Sequence, residues 1–280
     1  MGRAGPISMI AALLTPFDDR GAVDHEPLRA HVDYLVSQGI DGIMPCGTTG
    51  EGPLLEVDEA AAVVETVVKE TRGSVAVVAH VGRSATGATV QLAHRAIDAG
   101  ASAVSAVVPY YYALDEARII GHYRNLVHAV GDTTVYAYNI PSRTGNDLSA
   151  GAVPALSDEG VAGLKDSTKS FDRHLDYLRA APNGFDVFMG SDAMVLDALR
   201  AGAAGAVSAV ANVRPDLLVA LKKAVVDGDD AGAIGLQDEI TLVRRRVSHG
   251  PALTGLKSAV ADDLRARGIV YPSALRAPLG

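Results

Sequence analysis

The sequence predicts an α/β fold: a closed (β/α)8 barrel of the TIM type carrying a C-terminal extension of three helices. Three observations lead there. Eight short apolar runs, rich in Val, Ala and Ile, recur along the 280 residues. They lack the strict alternation of strands with one wet face, as strands buried on both faces do. Most are spaced by about 25–35 residues, the length of one strand–helix unit. Amphipathic segments fill the intervals, and Gly39, Gly73, Gly100 and Gly202 stand where helices end.

The strand runs cover 8–14, 42–46, 75–80, 103–108, 134–139, 161–165, 186–190 and 205–209. The helical segments cover 24–37, 55–71, 86–99, 115–129 and 171–180. In the first of these Leu28, Val32 and Leu35 share a face. Eight such units in one chain of this size close into a barrel. An open doubly wound sheet normally needs a Gly-rich phosphate turn after the first strand, and Leu14-Thr15-Pro16-Phe17 is not one. From about Arg214 onward the pattern is helical only, over 215–226, 230–247 and 253–267. The chain thus divides into a barrel, 1–213, with its site at the C-terminal rim, and a helical extension, 214–280, packed on it.

Composition excludes several functions. Hydrophobic residues make up 48%, enough for a large core. Aromatic residues are only 5%, with no Trp, and the net charge is -8, so neither base stacking nor a phosphate backbone is expected. The one basic run, Arg244-Arg245-Arg246, reads as a solvated helix face. Cys46 is the single cysteine, so no intrachain disulfide forms. No secretory pattern opens the chain and no apolar stretch reaches the roughly 18 residues of a membrane span. The expectation is a soluble cytoplasmic protein without membrane or nucleic-acid partners.

Barrel enzymes carry their chemistry at the C-terminal ends of the strands. Those ends read Gly47-Thr48-Thr49-Gly50-Glu51, Pro109-Tyr110-Tyr111-Tyr112, Tyr138 to Gly145, Lys165-Asp166-Ser167-Thr168 and Gly190-Ser191-Asp192. Lys165 ends the apolar run Gly160 to Leu164. An ammonium is costly to bury, low-dielectric surroundings favour the neutral amine, and a neutral amine forms a Schiff base with a carbonyl. Taken singly, each motif has a plain reading: a solvated lysine, an ordinary turn, packed tyrosines, a rim salt bridge by Arg143. Convergence on one rim alters the balance. An amine, phenols for proton transfer, hydroxyl and amide donors and an arginine fit a 2-oxo acid substrate. Lys165 would take the ketone, the Thr48-Thr49 turn its carboxylate, and Arg143 a second acidic group.

Together these segments resemble the dihydrodipicolinate synthase and N-acetylneuraminate lyase family of class I, pyruvate-dependent aldolases. The resemblance runs from Thr15-Pro16 to Arg276-Ala277-Pro278-Leu279. It implies an imine between Lys165 and pyruvate, with Tyr138 as the acid/base. It implies that Thr48 links Tyr138 to a second tyrosine, Tyr111, from a neighbouring subunit of a homotetramer built as a dimer of dimers. Thr49, Arg143, Gly190 and the Val207 carbonyl are the implied substrate-binding positions. No metal or organic cofactor is implied, because the protonated imine is itself the electron sink.

The second substrate divides the motifs. Ser142-Arg143-Thr144-Gly145 is similar to the synthase branch, whose arginine holds the carboxylate of aspartate semialdehyde. Lys165-Asp166-Ser167-Thr168 is closer to aldolases of 2-oxo sugar acids, of the 2-keto-3-deoxygluconate or N-acetylneuraminate type. Tyr112 stands where synthases often have Asn, and Gly190-Ser191-Asp192 replaces a common Gly-Asp-Asp. Gly52, Pro53, Val57, Ser84 and Ala88 lack the His, Asn and Glu of the lysine-feedback site. The leading expectation is a lyase condensing pyruvate with a short aldehyde acid, as 4-hydroxy-tetrahydrodipicolinate synthase does in lysine biosynthesis. Sugar-acid cleavage or dehydration is second. A catalytically silent ligand-binding barrel is third, since a fold alone never fixes function.

Overall fold

A computed structural model describes residues 6–249 and 253–280. Eight parallel strands pair in chain order and close into a barrel. They are β1 (Ser8–Ala12), β2 (Gly42–Met44), β3 (Ala76–His80), β4 (Ala103–Val107), β5 (Thr134–Asn139), β6 (Gly163–Asp166), β7 (Asp186–Met189) and β8 (Gly205–Ser208). Closure sets Val207 opposite Ile10. On the far side Tyr138 of β5 lies in register with Lys165 of β6, which brings the two to the same height.

Strand alternation sorts the side chains into two cores. Ile10, Ala12, Met44, Val78, Phe188 and Val207 fill the barrel interior. Met9, Ala11, Ile43, Ala137 and Leu164 join the larger layer between barrel and helices. On β6 the outward Leu164 anchors that layer, and the next residue, Lys165, is left on the inner side, buried at 6% exposure.

The helices are α1 (His25–Ser37), α2 (Val57–Thr71), α3 (Thr86–Asp98), α4 (Glu116–Val130), α5 (Pro141–Thr144), α6 (Ala152–Asp158), α7 (Phe171–Ala180), α8 (Val195–Arg200), α9 (Pro215–Asp227), α10 (Asp230–Arg246) and α11 (Thr254–Ala266). Their starts follow local chemistry. Asp24, Asp115 and Ser170 accept backbone N–H bonds as N-caps of α1, α4 and α7. A reciprocal Glu56/Glu59 capping box opens α2. The start expected at 55 falls later because Leu55 caps a preceding 3-10 turn, Gly52–Leu54. α5 and α6 were not foreseen, being too short at four and seven residues for a helical period to stand out; α8, of six residues, was marked only by its stop at Gly202. α9 follows β8 as α1 follows β1 and packs on β1, α8 and α10. The expected division at 213/214 therefore falls between the eighth strand and the helix after it. Among the described residues, no helix is long and apolar enough to cross a membrane.

Three buried histidines give the fold a pH signature. Burial pushes His31 and His122 down to about 4 and His80 down to about 3. Each folded-state pKa lies below its unfolded value, so the unfolded chain binds more protons between them. Stability is then full above the unfolded value, about pH 6.5, and is lost as pH falls toward the folded values. A thermal midpoint followed from about pH 7 to about pH 4 should fall, and His122→Gln should flatten the slope. A midpoint that holds level over that range contradicts this.

Candidate active site

The register of β5 and β6 sets the centre of the site. Lys165 Nζ lies 4.0 Å from the centroid of the Tyr138 ring. It also approaches the Met44 thioether, 3.9 Å away. No carboxylate pairs with Lys165 among the described residues. A buried amine without a counter-charge, held against an aromatic face, is built for nucleophilic addition rather than for an ion pair.

Tyr138 is itself 2% exposed, and its hydroxyl shares a 3.2 Å hydrogen bond with Thr48 Oγ1. Beneath it His80 meets the tyrosine ring edge-to-face at 5.8 Å. His80 Nδ1–H donates to the Cys46 carbonyl at 3.0 Å, and Nε2 accepts from the Val107 N–H at 3.2 Å. A carbonyl can only accept and an amide N–H only donate, so this ring is neutral with one fixed tautomer. Burial is the main cause of its low pKa, with the positive charges of Arg83 and Lys165 adding to it. His80 is a strut under Tyr138, not a proton donor.

The turn carrying Thr48 and Thr49 is wound by close backbone approaches. A Cβ on Gly50 would lie 2.7 Å from the Leu13 carbonyl oxygen, and one on Gly52 would lie 1.7 Å from that of Cys46. Only glycine fits either position. Glu51 N–H donates to Thr48 O at 3.3 Å and Gly52 N–H to Gly47 O at 3.0 Å.

A cavity of about 370 Å³ opens above Lys165 at the C-terminal rim. It brings together Lys165, Tyr138, Thr48, Thr49, Arg143, Gly190 and Val207. Arg143 also borders a second cavity of about 280 Å³, with Thr48, His80 and Tyr110. Arg143 makes no ion pair among the described residues, so its guanidinium is free for an anion. A Cβ on Gly190 would stand 2.1 Å from Ser167 Oγ and 2.7 Å from the Asp166 carbonyl, so glycine closes the rim between β6 and β7.

Tyr111 does not join either cavity within this chain. It is 85% exposed, at φ 85°, and packs edge-to-face on Tyr112 at 5.0 Å. Asn146 pins the loop, donating to the carbonyls of Pro109 and Tyr112 at 2.8 Å and accepting from Leu114 N–H at 2.9 Å.

The sequence reading named these rim segments but gave several of their residues no role. Asp166 proves to face the helical layer, bound to Thr168 and, at 3.0 Å, to the buried His174. Ser167 faces the cavity instead, with Ser142, Lys169 and Ser191 around the rim. Asp192 is buried and accepts from the Ser208 hydroxyl at 2.5 Å; burial raises its pKa. Arg244 was expected to be solvated with its two neighbours. It turns to the cavity mouth, 3.9 Å from Asp192, while Arg245 and Arg246 stay exposed. No local motif marks Arg244, because α10 and the turn after β7 that carries Asp192 meet only in the folded chain.

The Dihydrodipicolinate synthetase family profile matches residues 6–280. An uncharacterized DapA-like lyase of Halobacterium salinarum is 38% identical over 92% of this chain and 86% of its own. The 4-hydroxy-tetrahydrodipicolinate synthase of Thiobacillus denitrificans is 35% identical, covering 96% and 90%. Among solved structures, a prophage protein of E. coli K12 belonging to the dihydrodipicolinic acid synthase family, in complex with pyruvate, superposes with a TM-score of 0.92. It is 26% identical, over 98% of this chain and 92% of that one. The chain therefore belongs to the dihydrodipicolinate synthetase family and is a lyase of the class I aldolase type.

Proposed function

We propose that this lyase condenses pyruvate with a short aldehyde acid through a covalent imine on Lys165. The observation that carries the reading is the unpaired buried amine at 4.0 Å from the Tyr138 ring, whose hydroxyl is bound to Thr48. The Lys165 amine adds to the pyruvate ketone, and loss of water from the carbinolamine gives a protonated imine. Removal of a methyl proton then gives an enamine, which attacks the aldehyde carbon. Tyr138 stands where it can carry these protons, and the Thr48 hydroxyl orients its O–H. Thr49 and the turn hold the pyruvate carboxylate, while Gly190 and the Val207 carbonyl line the pocket. Tyr111 acts from a neighbouring subunit of a homotetramer, a role supported by its exposure away from its own cavity. Monomerising substitutions that leave turnover intact would remove that role.

Arg143 selects the second substrate. An unpaired guanidinium at the cavity edge suits the carboxylate of a short acid bidentately. Arg143→Ala should raise the half-saturating aspartate semialdehyde concentration by about 10–100-fold while pyruvate still adds to Lys165. A second reading has its own support: hydroxyls of Ser142, Ser167 and Ser191 ring the same cavity and suit a 2-oxo sugar acid. Product assays with pyruvate plus aspartate semialdehyde, 2-keto-3-deoxygluconate and N-acetylneuraminate decide between the two. Absence of turnover with the semialdehyde removes the first reading.

A further inference from the structure

A cluster of four charged side chains, Glu51, Glu59, Lys257 and Arg276, lies against the Thr48–Thr49 turn. Glu51, two residues past Thr49, sits in a left-handed conformation at φ 54° that a non-glycine residue adopts only when its surroundings hold it there. Its carboxylate is sealed from solvent and pairs at 2.6 Å with Lys257 of α11, whose side chain is equally sealed. Lys257 also donates to the Ala274 carbonyl at 2.7 Å and lies 4.3 Å from the centre of the Phe17 ring. The other Glu51 oxygen accepts from the Arg276 N–H at 2.9 Å.

Arg276 continues the grip. Its guanidinium binds both oxygens of Glu59 on α2, at 2.7 and 2.5 Å, and the Leu54 carbonyl at 3.0 Å. It also approaches the Phe17 ring at 4.8 Å. The C-terminal segment is thus bound to the turn at Glu51 and again just beyond it at Leu54. Leu253, the residue before α11, reaches the rim cavity itself. A buried ion pair is a poor source of net stability against an apolar pair of the same size. In some proteins such a pair instead fixes one arrangement of the groups it joins. The arrangement fixed here is that of the turn, since Glu51 N–H holds Thr48 O and Gly52 N–H holds Gly47 O.

We infer that Glu51 and Lys257 are a positioning pair, through which α11 and the C-terminal tail set the geometry of the Thr48–Thr49 turn and so the hold on the 2-oxo acid carboxylate. This rests on the reading that the turn binds that carboxylate. Neither residue touches substrate; both act through Thr48 and Thr49.

The test uses the full chain and a pyruvate titration, read as the borohydride-trapped adduct on Lys165. In the double variant Glu51→Gln/Lys257→Met both charges are removed together, so no lone charge stays buried. The half-saturating pyruvate concentration should rise by about 10-fold or more, since small displacements of a binding group have large effects. The trapping rate at saturating pyruvate should stay within about threefold of wild type. A folded double variant with unchanged half-saturation overturns the proposal, because a purely structural pair would lower the melting temperature alone. Should the double variant fail to fold, Glu51→Gln alone decides by the same titration. It keeps the shape of the side chain while removing the charge that Lys257 meets: a rise of about threefold or more supports the proposal, and no rise overturns it. A wild-type protein that forms no adduct at any pyruvate concentration overturns the functional reading, and this proposal with it.

Discussion

Lys165→Ala should lower turnover by roughly 10⁴–10⁶-fold, the range expected when a covalent nucleophile is deleted. The loss should appear in kcat, not in folding. Lys165 makes no ion pair among the described residues, so truncating it strands no buried carboxylate; its amine lies against the Tyr138 ring and the Met44 thioether. The alanine variant should therefore melt near the wild type, since no ion pair is broken. Circular dichroism melts beside a pyruvate consumption assay check both halves. Residual activity within about tenfold of wild type would mean that another group forms the covalent bond, or that none does.

Tyr138→Phe is the second large effect. Phenylalanine keeps the ring, and with it the 4.0 Å contact with Lys165 and the 5.8 Å edge contact with His80. Only the hydroxyl and its 3.2 Å bond to Thr48 are lost. Turnover should fall by about 10²–10⁴-fold, the range of a positioned acid/base. Stability should change by about 1 kcal/mol or less, the net worth of one hydrogen bond. The distinguishing result is that an adduct with pyruvate still accumulates on Lys165, slowly, because the amine is untouched. Thr48→Val should do less, about 10-fold, since it disorients the phenol without removing it. If Tyr138→Phe instead turned over normally, the proton carrier would have to be sought among the rim hydroxyls.

How much of this was legible in the sequence depends on the range of each interaction. Strands buried on both faces announce themselves as apolar runs, and all eight stand where those runs lie. Most stop short of the runs, as at Leu13 and Leu14, where the chain leaves the ladder and Leu14 N–H bonds the Asn212 side chain instead. α5 and α6 left too short a pattern. Lys165, Tyr138 and Thr48 were findable because barrel geometry converts a strand end into a rim position, whatever the intervening sequence. His80 was not, since both its partners are backbone groups and any residue supplies those. Asp192, Ser208 and Arg244 come from three elements that meet only after folding, and nothing local marks them as neighbours. Glu51 was read as the end of a turn motif; that its partner is a lysine in the last helix is a fact of tertiary packing alone. Tyr111 marks the opposite limit, an expected site residue that a single chain leaves in solvent.

The central claim is that the Lys165 amine forms an imine with pyruvate. Borohydride reduction in the presence of pyruvate, followed by peptide mass spectrometry, tests it most directly. One stable adduct per chain is expected, on the peptide carrying Lys165, absent without pyruvate and absent from Lys165→Ala. No adduct, or one on Lys169 or Lys257 with Lys165 unmodified, would contradict it.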